Sequence, residues 1–285
     1  MNNAPSLAVW ILAFNEEKNL ASCLESIAPL QAKMVIVDSG STDATLAIAA
    51  KHGVQVFLHA FESHSKQWNW ALENLPRENE WVLALDADHR LTPELAQEIL
   101  SVLRQNPSYD GFYLNRRQIF RSKWIRHGGY YPKYMMKLFR RSSATCDENE
   151  LLDFRFYISG PTQCLKHDLV EDNRNESDLD FWISKHQRFA RIQAREEWMR
   201  RTRPVKWKAA PRLFGAPDER VLWLKQRWYA CPLFIRPLFY FVYRYFLRLG
   251  FLDGKQGFVF HFLQGFWYRL MVDIHLNDLK KRRAS

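Results

Sequence analysis

Four apolar runs rich in β-branched residues, Leu7 to Phe14, Met34 to Asp38, Val54 to Leu58 and Trp81 to Asp86, predict strands. Apolar positions at helical spacing fall between and after them, over Asn19 to Ile27, Asp43 to His52, Gln67 to Leu75 and Pro93 to Arg104. The runs are continuously hydrophobic, as in Val35-Ile36-Val37, which marks strands covered on both faces and hence a parallel sheet with crossover helices. An α/β fold of nucleotide-binding type is expected. In such sheets ligands gather at the carboxyl ends of the strands. Two of these strands end in acids, Asp38 on the second and Asp86 with Asp88 on the fourth.

Past Asp110 the pattern loosens into mixed strands, Gly111 to Asn115 and Met135 to Arg140, around an irregular stretch from Trp124 to Pro132 that reads as a functional loop. Asp180 to Arg201 predicts a helix with Lys185, Arg188, Arg191 and Arg195 on one face. Pro204, Pro211 and Pro217 then predict a linker. The expected organisation is a catalytic domain over 1–203, with a donor half at about 1–109 and an acceptor half at about 110–203, a linker over 204–220 and a helical segment over 221–285.

Hydrophobic residues make up 47% and charged residues 25% of the 285, globular values that exclude disorder and small disulfide-held folds. The net charge of +10 is unevenly spread: the first 100 residues carry 13 Asp and Glu against 6 Lys and Arg, the remaining 185 carry 18 against 35. An acidic front and a basic rear indicate two tasks on one chain, and no nucleic-acid partner is expected. Cys23, Cys146, Cys164 and Cys231 show neither a CxxC pair nor zinc-ligand spacing, so no disulfide framework or structural metal is expected. The N-terminus lacks a basic region and a full signal-peptide core, which points to the cytosol.

The rear charge is interleaved with rings, 16 aromatics in the 41 residues from Trp228 to Tyr268. No uncharged apolar run there reaches the roughly 18 to 20 residues of a membrane span. On a helical projection Arg236, Arg244 and Arg248 share one arc, and Leu238, Phe239, Phe241, Val242, Tyr245 and Phe246 cover much of the rest. That predicts an amphipathic segment at a bilayer surface, apolar body in the headgroup boundary and cations toward anionic lipid, with Lys280 to Arg283 adding charge. The other reading is a helix pair packed on the catalytic domain with its arginines on the wet face.

For chemistry, Asp38 ends a strand before Ser39-Gly40-Ser41-Thr42-Asp43, where it can accept hydrogen bonds from a nucleobase or ribose while Ser41 or Thr42 caps the next helix. Asp86-Ala87-Asp88 delivers two carboxylates, hard ligands that suit Mg²⁺ or Mn²⁺ bridging a diphosphate. The alternative is an exposed turn with Asp88 capping the following helix.

Ala13-Phe14-Asn15-Glu16-Glu17, Val37 to Asp43, Lys66-Gln67-Trp68-Asn69, Asp86-Ala87-Asp88 and Trp124 to Pro132, in this order and across most of the chain, resemble family 2 glycosyltransferases. Within these the likeness is to the branch of lipopolysaccharide core β-glucosyltransferases. The resemblance implies a GT-A fold, Rossmann-like with a mostly parallel sheet flanked by helices, a nucleotide-sugar donor such as a UDP-hexose, a divalent Mg²⁺ or Mn²⁺, and inversion at the anomeric carbon. Carried over by position, it implies that Phe14 and Glu16 flank the nucleotide, Asp38 binds the base, Lys66 and Asn69 sit near the diphosphate or ribose, Asp86 meets the donor and Asp88 the metal. His89 stands where that branch commonly has an acid, and solvent exposure is expected for it.

Inverting transfer needs a carboxylate to take the acceptor proton. Asp147 and Glu148 are the candidates, Glu148 matching the Glu of a His-Glu pair in the branch, with Glu171 and Asp172 as second choice. In the loop, Arg126 can counter phosphate charge and the rings can stack on a sugar, or the loop is simply glycine-bent and packed. His186 is expected to pack or cap rather than face the site. The expected setting is peripheral, on the cytoplasmic side of the inner membrane, with a lipid-linked saccharide as acceptor. Two rivals are a nucleotidyltransferase, disfavoured because Asn15-Glu16-Glu17 replaces a glycine-rich phosphate loop in the first turn, and a membrane-bound scaffold without chemistry.

Overall fold

The computed structural model describes residues 6–203 and 206–284; Pro204 lies outside the described residues, as does the side chain of Arg283. The predicted alternation is realised as β1 Leu7–Ala13, α1 Leu20–Ile27, β2 Lys33–Asp38, α2 Thr45–Lys51, β3 Gln55–Leu58, α3 His64–Asn74 and β4 Trp81–Asp86. Next come β5 His89–Leu91, α4 Pro93–Arg104, β6 Gly111–Phe120, β7 Lys123–Ile125, β8 Tyr134–Arg140, β9 Ala144–Cys146, β10 Phe156–Ile158 and β11 Thr162–Glu171. Helices α5 Leu179–Thr202, α6 Pro217–Ala230, α7 Arg236–Val242, α8 Gly254–Phe260 and α9 Tyr268–Ala284 complete the chain.

The main sheet runs β3-β2-β1-β4-β8-β6-β11-β5, with β7 paired to β6. Strands β3, β2, β1 and β4 are parallel, as expected from their unbroken apolar runs. Beyond β4 the sheet turns mixed, because β8 enters antiparallel to both β4 and β6. Strand β1 is buried along its whole length. Its residues alternate between two cores: Val9 and Ile11 pack with Leu24, Leu85 and Ile99 beneath α1 and α4, and Trp10 packs with Val35, Trp68 and Phe139 beneath α3. Each fully buried aliphatic side chain in such a core contributes about 1.5–3 kcal/mol.

Helix α5 packs along α9 through Ala190, Ala194, Tyr268, Val272 and Leu276. Helix α7 runs on as a π-helical turn to Leu247, and α8 runs on through residues 261–267 into α9, so the two arms form a helical hairpin. Helix α6 begins at Pro217, inside the span read as a linker. The reason is local: proline is favoured in a first helical turn, and the Glu219 carboxylate accepts the Ala216 N–H at 3.0 Å. The stretch before it is docked too, since Lys208 donates to the Thr145 hydroxyl at 2.9 Å.

The arginine arc of the rear segment faces the protein, the reverse of the orientation read from its helical projection. The Arg236 guanidinium donates to Asp273 Oδ1 at 2.8 Å and to Glu197 Oε1 at 2.9 Å. Arg244 donates to the Gly128 carbonyl at 2.7 Å and lies 4.4 Å over the Tyr130 ring. A buried cation is tolerable only with such partners, and α5 and α9 supply the acids. Arg248 alone of the three is exposed. Among the described residues no helix is long and apolar enough to cross a membrane.

Candidate active site

Backbone register puts the strand-end acids on one edge. Ala13 of β1 lies opposite Asp38 of β2, and Leu12 lies opposite Asp86 of β4. Two strands apart at the usual spacing, Asp38 and Asp86 are roughly 10 Å from each other at the carboxyl edge. The turns that follow β1 and β2 are stitched together: the Asn15 N–H donates to Ser41 Oγ, the Thr42 N–H to Asn15 Oδ1 and the Glu16 N–H to Thr45 Oγ1, each at 2.8 Å. Asn15 takes a left-handed φ of 54°, which asparagine tolerates better than most residues. The fully buried Asp38 carboxylate accepts the Gly40 N–H at 2.9 Å, the Ser41 N–H at 2.8 Å and the Ser41 hydroxyl. It therefore shapes the turn. Neither Ser41 nor Thr42 caps α2: its N-cap is Ala44, and Asp43 ahead of it accepts the Thr45 N–H at 2.9 Å. Phe14 presents its ring to solvent on this rim, with Glu16 half-buried behind it.

Asp86 and Asp88 sit in a dense field of charge. Lys137, from the middle of β8, donates to Asp86 Oδ2 at 3.0 Å. Burial raises the Asp86 carboxyl, but Lys137, His89 and His64 together reverse this and hold it at about 2. Asp88 is pushed up to about 6 by burial, against the pull of His89 and Lys185 and with repulsion from Glu171 and Asp86 adding to the rise. Burial and then the Asp88 charge push Glu16 up to about 8. Burial opposes ionisation of Glu171 as well, yet Arg116, which donates to it at 2.7 Å, and His89 hold it well below the usual range.

His89 is buried, contrary to the exposure expected for it. Pairing of β5 with β11 sets it opposite Glu171 and encloses the ring. The Asp86 backbone N–H donates to His89 Nδ1 at 3.1 Å. In the neutral ring the proton therefore sits on Nε2. That nitrogen faces Glu171 Oε2 at 3.4 Å, Asp86 Oδ2 at 3.5 Å and Asp88 Oδ1 at 3.9 Å, so the histidine separates three carboxylates.

Asp88 Oδ2 accepts from the Asn173 amide at 3.1 Å, whereas its buried Oδ1 has no hydrogen-bond partner. A carboxylate oxygen desolvated and unpaired at a strand end fits a hard cation. Among the described residues no group of three or more His, Cys, Asp or Glu forms a closed metal cage. One or two carboxylates here could serve an open magnesium-type site, a kind that completes its shell with ligand phosphates and water.

Among the described residues, the remaining predicted residues, Asp147, Glu148, Asn69, Lys66 and Arg126, make no hydrogen bond or ion pair with Asp86 or Asp88. Asp147 pairs with Arg200 at 3.3 Å and accepts the Asn149 N–H at 3.0 Å, so its carboxylate is committed to its own loop. Glu148 is exposed and accepts from the Asn69 amide at 3.3 Å, while Asn69 Oδ1 accepts the Cys146 N–H at 2.9 Å. Lys66, one turn earlier on α3, is exposed and pairs with Glu62. Arg126 is exposed beside the Trp124 ring at 5.3 Å, and no hydrogen bond or ion pair joins it to the carboxylate edge among the described residues. Its loop is gripped by the C-terminal hairpin: the His127 N–H donates to Asp253 at 2.9 Å and the Gly128 N–H to the Arg248 carbonyl at 2.9 Å. Gly128 is required there, with φ at +68° and a Cβ that would fall 2.0 Å from the His261 ring. Glu171 and Asp172, by contrast, stand at the site, and Asp172 pairs with Arg90 at 2.7 Å. His186 packs on Trp182 with ring centroids 3.6 Å apart, and burial pushes it down to about 4.

Lys137, Asn173 and Asp153 were not foreseen, and Lys185 only as part of a cationic helix face. Lys137 did carry a signal, a lone charge in the apolar run Met135 to Phe139, where a buried partner is needed. Lys185 pairs with Glu176 at 2.7 Å and, despite burial, is held up at about 12 by Glu176 and Asp88. Asp153 is solvent-accessible yet lies within electrostatic reach of Lys225, Arg155, Arg269 and Lys133, which outweigh the crowding around it and keep its carboxyl low. The cations within reach of Asp153 come from the chain just before β8 and β10 and from α6 and α9.

A family model described as glycosyl transferase family 2 matches residues 8–158. An uncharacterized glycosyltransferase of Rickettsia conorii is 37% identical over 93 residues, 33% of this chain and 32% of the relative. The lipopolysaccharide core biosynthesis glycosyltransferase LpsC of Rhizobium meliloti is 28% identical over 151 residues, 50% of this chain and 53% of the relative. The matches thus span about a third to about half of the relatives' own lengths. Among solved structures, glucosyl-3-phosphoglycerate synthase from Mycobacterium tuberculosis, in complex with Mn²⁺, uridine diphosphate and glucosyl-3-phosphoglycerate, aligns with a TM-score of 0.44 at 15% identity, over 65% of this chain and 78% of that one.

Proposed function

The chain belongs to glycosyl transferase family 2, and from that premise we propose that it moves a hexose from a UDP-sugar, with inversion, onto a lipid-linked saccharide. The observation that carries this reading is the unpaired Asp88 oxygen on the edge shared with the stitched turns after β1 and β2. Asp88 would hold Mg²⁺ or Mn²⁺, which, when bound, neutralises charge on the diphosphate leaving group. Phe14 offers a stacking face for the nucleobase, and Asp38 fixes the turn that frames it. Lys137 and His89 keep Asp86 ionised and in place on the donor side.

Glu148 is the base by elimination. Asp147, Glu150, Glu171 and Asp172 each pair with an arginine, and an acid held well below its usual range, as Glu171 is, takes a proton poorly. Glu148 has the Asn69 amide as its hydrogen-bond partner, which orients one oxygen and leaves the other open. It accepts the proton of the acceptor hydroxyl as that oxygen attacks the anomeric carbon and the nucleoside diphosphate departs. The cations near Asp153, Lys225, Arg155, Arg269 and Lys133, suit an acceptor bearing phosphate or carboxylate groups. The name of the Rhizobium relative supports an envelope saccharide of that kind.

The test is turnover of the full chain against a panel of nucleotide sugars, with lipid extract as acceptor and with Mg²⁺, Mn²⁺ or EDTA. Transfer of sugar to the lipid fraction from a UDP-hexose, only with a divalent ion, is expected. Release of pyrophosphate from a nucleoside triphosphate would instead favour nucleotidyl transfer.

A further inference from the structure

The C-terminal hairpin wears its apolar side outward. Ile235, Leu238, Phe239, Val242 and Phe246 recur at helical spacing on one stripe of α7 and its extension, each 38% to 68% exposed, and Leu247 is 72% exposed. The stripe is continuous with α8. Tyr245 has Phe258 at 5.6 Å between ring centroids, and Phe258 has Phe262 at 6.1 Å, with both phenylalanines exposed. Soluble monomers rarely leave so much contiguous apolar surface open, and patches of this kind mark partner or membrane contacts.

Charge selects the occupant. From Cys231 to Phe262 the sole acid in the sequence is Asp253, and it is buried against His127 at 2.7 Å. Arg248 and Lys255 are exposed beside the stripe. The exposed Arg121 and Lys123 of the β6–β7 turn join them, because Phe120 in that turn packs on Phe260 of α8 at 5.2 Å. An apolar stripe rimmed by cations with no exposed acid matches an anionic lipid interface. A symmetric second copy would bring the same cations face to face.

We propose that the outer face of the α7–α8 hairpin docks in the headgroup boundary of an anionic bilayer, with Phe239 and Leu247 inserted and Arg248, Lys255 and Lys123 against lipid phosphates. The inward arginines are then clamps: Arg236 ties the hairpin to α5 and α9, and Arg244 ties it to the 124–132 loop. The inference goes beyond the transferase reading and does not depend on it.

Flotation of the full chain with vesicles of phosphatidylglycerol and phosphatidylethanolamine, against phosphatidylcholine alone, tests it. A Phe239→Glu, Leu247→Glu double variant changes only exposed positions, and unchanged melting and UDP binding establish that it is folded. Wild type is expected to float with the anionic vesicles and weakly with phosphatidylcholine, and the double variant to lose at least about tenfold in vesicle affinity. The proposal is overturned if wild type stays unbound to both vesicles, or if the variant floats equally well. It is also overturned if light scattering shows a wild-type dimer that the variant splits without any vesicle binding. UDP binding followed in the same samples separates failure of this inference from failure of the transferase reading.

Discussion

At the carboxyl edge of the parallel sheet charge is buried, and on the outer face of the C-terminal hairpin apolar side chains are exposed. Both reverse the ordinary arrangement of a globular protein, and both are held in place by ion pairs. At the edge, Lys137, Arg116 and Arg90 engage Asp86, Glu171 and Asp172, and the network leaves Asp88 Oδ1 without a hydrogen bond. In the hairpin, Glu197 and Asp273 engage Arg236, and the network leaves rings and leucines outside. The same device thus leaves opposite chemistries: at the edge a buried oxygen without a hydrogen-bond partner, which the proposed function gives to a cation, and on the hairpin a bare hydrocarbon face, which the further inference gives to lipid.

Substitutions in one region should leave the other intact. The largest effect is expected from Asp88→Asn, which should lower turnover by about a thousandfold or more without lowering the melting temperature or vesicle binding. Arg236→Ala strands Glu197 and Asp273 as buried acids and should cost about 3–5 kcal/mol in urea unfolding. An effect under about 1 kcal/mol, typical of exposed pairs, would show that the clamp is not needed. Glu148→Gln should reduce kcat by about a hundredfold or more. Glu171→Gln should instead shift the metal dependence, and the reverse pattern would exchange their roles. His89→Ala brings three carboxylates into direct repulsion and should change divalent-ion affinity by about 10- to 100-fold, as read by titration of Mn²⁺.

The smallest effect is in pH. Asp88 and Glu16 hold protons more tightly folded than unfolded, to about 6 and about 8. Their contribution to stability is full below the unfolded values and is lost as pH rises through the folded ones. EDTA-treated protein should therefore melt lower at about pH 8.5 than at about pH 5.5, less steeply in Asp88→Asn, and Mn²⁺ should restore the loss. A flat profile without metal would remove the burial argument from the edge.

The edge was largely legible in the sequence because its determinants are local: unbroken apolar runs give buried parallel strands, and the acids close them. Its family likeness rested on the same residues and holds. What escaped was set by strands distant in sequence. Lys137 meets Asp86 51 residues away, and His89 is buried only because β11 pairs with β5. In the hairpin, projection placed the arginines on one arc but gave no means of telling inside from outside. That choice is made by Glu197 and Asp273, 39 and 37 residues from Arg236. The glycines of the 126–132 loop have a comparable origin, since the close approach of His261 from the hairpin fixes Gly128.

Calorimetric titration of UDP into the full chain, with Mn²⁺ and then with EDTA, for wild type and Asp88→Asn, goes straight to the carboxylate edge. Metal-dependent binding by wild type that vanishes with EDTA and in Asp88→Asn is the predicted result. Equal binding in all samples, or none in any, would contradict it.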